Sequence, residues 1–371
     1  MIDDRTQCAI DLMHRFALRT GKERRYLWTD AFAVMNYLGL ARATRDQTFV
    51  ERAVELIGSV HSTLGRSRVE GRLNGWLGGR SESDARAHPT AAGLRIGKPL
   101  AERGEDESFD ERLEWDRDGQ YFHYLTKWMQ ALAQTAHATG DESYLVWARE
   151  LAEAAHRAFV YTIPDGSQRM YWKMSVDLSR ARPLVRSMGQ HDPLDGYVTY
   201  LQLATPALEH AVADFKGMID TTRLATDDPL GIGGLLVNGY HLEQLGEISH
   251  LLQATLVAAL AGLTHFVDGP ELKAPTAQRL AFRELGLSIG LAAVAHMMID
   301  APPVLRPVVD ELDRFMTLAN ALEAFWLRPE NQATDAWRDH VDINEVMLAT
   351  TLVPEGHVSL LNRTRQPSTA R

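Results

Sequence analysis

One stretch of the chain combines the side-chain types that carry out acid–base chemistry with aromatic rings. It covers residues 114–128 and reads EWDRDGQYFHYLTKW. Its chemistry-bearing residues are Glu114, Trp115, Asp116, Asp118, Tyr121, His123 and Lys127. Carboxylates, imidazole and amine can exchange protons with a substrate, and aromatic rings can carry a flat apolar ligand. The stretch is therefore either a ligand site at the start of a helix or an ordinary capped helix start.

The cap explanation fits part of this stretch. Asp118 stands just before an aromatic helix, where an N-cap residue belongs, and acidic residues suit the positive end of a helix. A cap does not explain the polar side of the same helix. At about 100° per residue, one strip holds His123, Thr126, Lys127, Gln130 and Gln134. Because a solvated face usually mixes Glu, Lys and Arg, this mostly uncharged strip predicts that the N-terminal part of the helix lines a cavity.

A further carboxylate, Asp30, lies in the first turn of an otherwise apolar segment, LWTDAFAVMNYL (27–38), which also carries Trp28. A buried carboxylate is costly unless it is paired or hydrogen-bonded. Asp30 could position a substrate hydroxyl or act as an acid or base. Alternatively, it caps the helix or pairs with Arg24 or Arg25.

A third cluster falls in residues 171–197, where a loop reading SMGQHDPLDG (187–196) leads into a helix. Its polar candidates are Trp172 and Lys173 before the loop, and Gln190, His191, Asp192 and Asp195 within it. A His beside an Asp, with another carboxylate three residues later, suits hydrogen bonding, proton transfer or helix capping. The Asp-Pro pair is also a helix-start signature. A cap does not require the Gln and His, so the loop is a candidate site.

The connection from Gly65 to Gly119 is too long for a hairpin turn, and it carries Trp76, His88, Arg95 and Lys98. Long loops in compact domains are usually lids, binding loops or disordered segments. We interpret it as an ordered insertion over a binding site, with a mobile surface insertion as the alternative.

Composition excludes several classes of protein. The chain has 371 residues, 45% hydrophobic residues and a net charge of -10, so a nucleic-acid partner is not expected. The single Cys8 excludes an intramolecular disulfide, and no metal or nucleotide motif is present, which predicts no cofactor and no metal. Zinc bound by His88, His123 and His191 is the alternative, although their spacing matches no zinc motif. The N-terminus has no signal-like pattern, and the charge-free run from Leu251 to Thr264 is too short to cross a membrane. We expect a cytoplasmic location, no membrane partner and a buried helix over that run, with His265 able to face a cavity.

Hydrophobic periodicity predicts a mainly α protein. Predicted helices cover 5–19, 27–44, 47–64, 120–139, 142–160, 194–216, 232–246, 249–267, 277–299, 302–326 and 340–352. Short strands are predicted within 169–178. Two helix pairs resemble each other at a shift of 95 residues, which suggests a repeated helical hairpin.

Within each pair, an all-round apolar helix precedes one that is apolar on a single face. This holds for 28–40 against 47–61 and for 121–139 against 144–159, and we extend it to 251–267 against 304–325. The alternation predicts an all-α fold, an (α/α)6 toroid of inner and outer helices around a central cavity. We expect one domain over 1–361 with an insertion at 65–119, and a polar tail at 362–371.

At this level the sequence resembles the six-hairpin glycosidase superfamily, which includes glucoamylase-like hydrolases, unsaturated glucuronyl hydrolases and the N-acylglucosamine epimerase group. The residues that carry the resemblance are TGDESYLVWARELAEAA (139–155) and the aromatic helix YFHYLTKWMQAL (121–132). The resemblance is one of architecture. No catalytic motif of a member family matches, so no catalytic residue is carried over.

The resemblance implies a carbohydrate-active enzyme, most simply a glycoside hydrolase acting on a small oligosaccharide or uronide at the toroid mouth. The candidate catalytic residues are Asp30, Asp116, Asp118, His191 and Asp192. The candidate substrate-binding residues are Trp28, Trp76, His88, Arg95, Lys98, Glu114, Trp115, Tyr121, His123, Lys127, Trp172, Lys173, Gln190 and Asp195.

Two other functions stay open. An epimerase would use proton transfer by His123 or His191, and a non-catalytic toroid would bind a small ligand or another protein. Convergence of the carboxylates on one concave site would favour catalysis. The oligomeric state is left open.

Overall fold

The computed structural model describes residues 2–21, 24–68, 75–179 and 182–360, and these ranges are predominantly α-helical. The helices are α1 Asp4–Thr20, α2 Leu27–Thr44, α3 Thr48–Leu64, α4 Glu82–Ala87, α5 Glu111–Asp116, α6 Phe122–Thr139, α7 Ser143–Phe159, α8 Asp192–Leu203, α9 Glu209–Met218, α10 Pro229–Gln244, α11 His250–Asp268, α12 Ala281–Asp300, α13 Arg306–Asp313, α14 Met316–Trp326, α15 Pro329–Gln332, α16 Asp335–Arg338, α17 Val341–Leu352 and α18 Glu355–Val358. The strands are β1 Gln120–Tyr121, β2 Val160–Thr162, β3 Gln168–Met170, β4 Lys173–Met174 and β5 Pro183–Val185. Short 3-10 helices lie at Leu77–Gly79, Pro206–Leu208, Thr221–Arg223, Glu271–Lys273 and Thr276–Gln278. The predicted tail at 362–371 lies outside the described residues.

Most predicted helices form within a few residues of the expected bounds, and α2 has the predicted ends. Two predicted helices are broken. The segment 194–216 becomes α8 and α9, because Ala204 leaves the helical region with φ 11° and ψ 98° and Pro206 starts a new turn. The segment 302–326 becomes α13 and α14, which are separated at Arg314 and Phe315.

The chain divides into two compact units. The first takes in the described residues of 1–17, 36–46 and 220–360, and the second takes in those of 18–35 and 47–219. All the candidate site residues belong to the second unit.

In the second unit, α6 is the central helix and packs against α3, α7 and α8. It is buried from Leu125 to Ala136 and ends at Gly140, whose φ of 72° is the left-handed C-cap conformation that favours glycine. The α7 helix buries one face only, as predicted. Because α6 packs against helices on several sides, the backbone from which its first-turn side chains project is held in place.

Two small antiparallel sheets accompany these helices. Strands β1, β4 and β5 form one sheet in the order β1-β4-β5, and β2 pairs with β3 in a hairpin. Tyr121 is directly opposite Lys173 in the β1–β4 register. This pairing joins the start of α6 to the segment before α8.

In the first unit, α10, α12 and α17 are buried almost all round. The helices α10 and α12 approach closely through glycines: a Cβ at Gly233 would lie 2.1 Å from the carbonyl oxygen of Gly286. By length and composition the segment His250–Lys273, which contains α11, and the helix α12 could each cross a bilayer; 44% and 61% of their apolar windows are buried inside the protein.

The predicted helix over Leu251–Thr264 forms as α11, but it is buried on one face only, so the expected all-round burial is wrong. In α11, the side chain of Val257 is 50% exposed, and His265 is exposed rather than facing a cavity. Absence of charge does not require burial, because single apolar side chains are common on protein surfaces. The all-round burial expected here falls on the neighbouring α10 and α12.

Candidate active site

Six rings pack together where α2, α5, α6 and β4 begin or end, and we call them the aromatic cluster. They are Tyr26, Trp115, Tyr121, His123, Tyr124 and Trp172. The ring centroids lie 5.2 Å apart for Trp115 and Trp172, 6.3 Å for Trp172 and His123, and 4.9 Å for His123 and Tyr124. The hydroxyl oxygens of Tyr26 and Tyr124 are 2.6 Å apart and share a hydrogen bond.

Tyr121 differs from the other members of the cluster because it is buried. Its ring is 3% exposed and contacts three other rings of the cluster, and burial raises the pKa of its hydroxyl. The remaining rings are partly exposed, and Trp115 is 49% exposed. Tyr121 therefore supports a set of rings that keep surface available for a ligand.

A row of polar pairs joins α6 to α8 beside the cluster. His123 Nδ1 lies 3.5 Å from Asp192 Oδ1, and Lys127 Nζ lies 3.7 Å from Asp195 Oδ1. One turn further on, Gln130 Nε2 donates to Thr199 Oγ1 at 3.1 Å. Along this contact the residue numbers rise on both helices, by four and three on α6 and by three and four on α8. The two helices therefore run parallel.

Asp192 has the least satisfied carboxylate of the site. Its side chain is 7% exposed, and Oδ2 is buried with no hydrogen-bond partner among the described residues. His123 Nδ1 is likewise buried without a hydrogen bond within those ranges. The backbone before α8 passes close to this carboxylate, since a Cβ at Gly189 would lie 2.5 Å from Asp192 Oδ2. A buried carboxylate left in this condition is costly, which makes it a functional candidate.

Both carboxylate oxygens of Asp30 accept hydrogen bonds from the two residues that precede α2. Arg25 Nη1 donates to Asp30 Oδ1 at 3.2 Å, and the backbone N–H of Tyr26 donates to Oδ2 at 3.0 Å. Both side chains of the ion pair are 2% exposed. Asp30 therefore fixes the start of α2, and with it the position of the Tyr26 ring.

Asp118 is also held, although the predicted cap is wrong. The N-cap of α6 is Tyr121, whereas the carboxylate of Asp118 accepts from Arg95 and from the backbone N–H groups of Gly97 and Gly119. The guanidinium of Arg95 also donates to the carbonyls of Thr63 and Arg66. This pair anchors the insertion instead of capping the helix.

Glu114 and Lys173 form a buried pair beneath the cluster. Lys173 Nζ donates to Glu114 Oε1 at 3.0 Å and to the carbonyls of Glu114 and Arg117 at 2.7 and 2.8 Å. Arg103 Nε donates to the other oxygen of Glu114 at 3.2 Å. Burial lowers the pKa of Lys173, and its Nζ lies 5.3 Å from the Tyr121 ring centroid. The pair fastens α5 to β4 and supports Tyr121.

The remaining predicted residues are distributed around this site or away from it. Trp28 is buried against Phe32 within α2. Trp76 is buried, lies under Arg66 and donates to Glu82, and exposed His88 contacts Glu150 at 2.5 Å. Asp116 is exposed at the end of α5, and Gln190 and His191 lie at the entry to α8, the first exposed and the second half-buried. None of Trp28, Trp76 and His88 makes a ring or polar contact with the aromatic cluster in the described residues.

Tyr26 and Tyr124 were not among the predicted site residues. Tyr124 lies on α6 next to His123, one position away from the predicted polar strip, and Tyr26 immediately precedes α2. Tyr124 is adjacent to His123 and Tyr26 lies two residues before Trp28, but their hydroxyl contact joins residues 98 positions apart. That pairing has no signal in a single sequence.

No group of three or more His, Cys, Asp or Glu side chains suited to a metal ion occurs in the parts of the chain that the structure describes. The chemistry available at the site comes from carboxylates, imidazole, ammonium groups and phenols.

No family profile and no curated protein matches the sequence. Among solved structures, an α-1,6-mannanase of glycoside hydrolase family 76 from a Salegentibacter species aligns over 94% of this chain and 99% of its own, with 13% identity and a TM-score of 0.55. A family 76 α-mannanase from Bacteroides thetaiotaomicron aligns over 95% and 96%, with 8% identity and a TM-score of 0.57. A cellobiose 2-epimerase from Spirochaeta thermophila aligns over 88% and 86%, with 12% identity and a TM-score of 0.47. The predicted (α/α)6 toroid, and its architectural resemblance to six-hairpin glycosidases, are confirmed for the fold alone by the two mannanase structures.

Proposed function

We propose that the protein is a carbohydrate-active enzyme, a glycoside hydrolase that cleaves a small oligosaccharide or uronide at the start of α8. In this proposal the aromatic cluster binds sugar rings through their flat apolar faces. Asp192 and Asp195 supply the acid and base, and His123 and Lys127 position them.

The observation that carries the proposal is the buried carboxylate of Asp192, which has no hydrogen bond from the described residues and stands beside partly exposed rings. Asp30, Asp118 and Glu114 are each neutralised by an arginine or lysine. A carboxyl oxygen that accepts no hydrogen bond from the described residues keeps its hydrogen-bonding capacity for a substrate. That separates Asp192 from the carboxylates with structural partners.

Hydrolysis requires two proton transfers. A carboxylic acid protonates the glycosidic oxygen as the bond to the anomeric carbon breaks, and a carboxylate accepts a proton from the water that attacks that carbon. We assign the first role to Asp192, because the imidazole of His123 lies within reach to return a proton after each turnover. The second role falls to Asp195, whose charge is balanced by Lys127. Both carboxylates project from the first turn of α8 at a spacing of three, which places them on one face of the helix.

The fold gives independent support to this choice of substrate class. The two structures with TM-scores of 0.55 and 0.57 are mannanases. Fold alone is a weak basis for a function, so the proposal depends on the carboxylate and the rings beside it.

A direct test is to screen the purified protein against α- and β-linked oligosaccharides and uronides, with the product anomer followed by NMR. Asp192→Asn and Asp195→Asn should each lower kcat by at least about 100-fold, in the range of a lost general acid or base, with little change in melting temperature. Asp214→Asn is the matched control, since Asp214 lies on α9 and pairs with His156 of α7, away from the cluster. Full activity in Asp192→Asn would refute the assignment.

One observation favours a second function, sugar epimerisation. His123 has a buried Nδ1 without a hydrogen bond from the described residues, and its ring stacks on Tyr121 with centroids 5.4 Å apart. A histidine held in this way could remove a proton from a sugar carbon, and His191 lies close in sequence to the start of α8. Incorporation of deuterium from heavy water into the recovered sugar, without release of a reducing end, would identify the epimerase. If neither reaction occurs and the sugars still bind, the protein is a non-catalytic ligand-binding toroid.

A further inference from the structure

Several charged groups around the aromatic cluster are paired with one another. The pairs are Arg25 with Asp30, Arg95 with Asp118, Lys173 and Arg103 with Glu114, and Lys127 with Asp195. Among the described residues, Lys98 makes no ion pair, although it lies beside this set. Its ammonium group is therefore a positive charge of the site that contacts an aromatic ring and no carboxylate within those ranges.

The position of Lys98 places this charge at the edge of the proposed sugar platform. Its Nζ lies 5.4 Å from the centroid of the Tyr26 ring, and the side chain is partly exposed. The hydroxyl of Tyr26 contacts that of Tyr124, whose ring packs on His123. A sugar lying along these rings would therefore have Lys98 at one end and His123, with its partner carboxylate, at the other.

The backbone that carries Lys98 is fixed on both sides. The N–H of Gly97 donates to Asp118 Oδ1 at 3.0 Å, and the carbonyl of Lys98 accepts from Arg68 Nη1 at 2.7 Å. Gly97 has a φ of 91°, and a Cβ there would lie 2.2 Å from the carbonyl oxygen of Arg25, so only glycine fits. The ammonium is thus presented from an anchored backbone, which reduces the entropy lost when a ligand binds.

We propose that Lys98 binds an anionic substituent of the substrate, so that the preferred glycans contain a uronic acid whose carboxylate contacts Lys98. This inference rests on the proposed function and narrows its substrate class. A carboxylate receives a charge-assisted hydrogen bond from an ammonium group, whereas the hydroxymethyl group of a neutral hexose would leave the charge unpaired. A sulfate ester on a sugar shares this anionic chemistry and is separated from a carboxylate by the test.

The test compares Lys98→Met with the wild type on p-nitrophenyl glucuronides and galacturonides, in both anomeric forms, and on the matching neutral glucosides and galactosides. Losing a hydrogen bond to a charged group should lower kcat/KM for the uronides about 10- to 100-fold more than kcat/KM for the neutral glycosides. Lys216→Met is the matched control, because Lys216 Nζ also lies 5.4 Å from a tyrosine ring, that of Tyr197, outside the cluster. It should behave as the wild type.

Direct binding makes failure of this inference distinguishable from failure of the proposed function. Calorimetry with glucuronate, its methyl ester, glucose and glucose 6-sulfate should show Lys98-dependent binding of glucuronate and weaker binding of the uncharged ester. Such binding without turnover of any glycoside refutes the hydrolase and retains the anion site. Equal effects of Lys98→Met on charged and neutral sugars, absence of glucuronate binding, or a preference for the sulfate over the carboxylate each overturns the uronate assignment.

Discussion

Replacing Lys173 with methionine should destabilise the protein strongly, since this ammonium holds the insertion under the aromatic cluster. Methionine preserves the length of the side chain but donates to none of the three acceptors at 2.7, 2.8 and 3.0 Å. Because the lysine side chain is 0% exposed, water cannot take over these bonds. Removing one partner of a buried ion pair costs roughly 3–5 kcal/mol. Arg103 still neutralises part of the Glu114 charge, so we expect a loss near the lower end, about 3 kcal/mol.

Urea unfolding followed by tryptophan fluorescence measures this loss as a fall in the midpoint at constant slope. The double variant Lys173→Met/Glu114→Gln should lose less than the sum of the single variants, with a coupling of at least about 1 kcal/mol. The exposed Lys216→Met change should stay within about 0.5 kcal/mol of the wild type. A loss below about 1 kcal/mol for Lys173→Met, or strict additivity in the double variant, would show that the buried pair does not hold the insertion.

Three further perturbations separate the site from the scaffold. Gly189→Ala would bring a methyl group 2.5 Å from the carboxylate of Asp192. Because this side chain can rotate away, activity should fall about 100-fold while the melting temperature hardly changes. Unchanged kinetics would contradict the proposed acid. Gly233→Ala meets the fixed backbone of Gly286 at 2.1 Å and should cost about 1–3 kcal/mol of stability in urea unfolding, an expectation that a wild-type midpoint would refute. Burial lowers the pKa of His61 from 6.5 to about 3. The stability that depends on neutral His61 is therefore complete above pH 6.5 and falls by roughly 5 kcal/mol as the pH drops towards 3. His61→Gln should flatten the dependence of the unfolding free energy on pH in this window, and an unchanged slope would refute this expectation.

The sequence predicted the helices best where their apolar pattern was longest. The segment 27–44 is apolar on nearly every side, and α2 has those bounds. The charge-free α11 was misjudged because a lack of charge permits burial without requiring it. The predicted helix 194–216 ran through Pro206, although proline disrupts a helix interior. In the structure the helix ends before Ala204, and Pro206 begins a new helical turn.

The candidate site was predicted in its parts but not in its pairings. The polar strip of α6 was expected to line a cavity, and three of its members pair with α8, a contact between residues about 70 positions apart. Asp30, Asp118 and Asp192 were equivalent candidates in the sequence. Their difference lies in which cations reach them, and only the folded chain decides that. An Arg five residues from Asp30 was foreseeable as a partner, whereas the pairing of Arg95 with Asp118 depends on the path of the insertion.

The parallel contact between α6 and α8 makes the site sensitive to register. Each residue added or removed within α8 rotates the rest of the helix by about 100°. An insertion between Asp192 and Asp195 would therefore move Asp195 away from Lys127 and Thr199 away from Gln130 at the same time. Changes in length before Gly189 leave the register of α8 intact. Chains that share this site should therefore vary in the length of the loop that precedes α8 and keep a constant count of residues from Asp192 to Thr199.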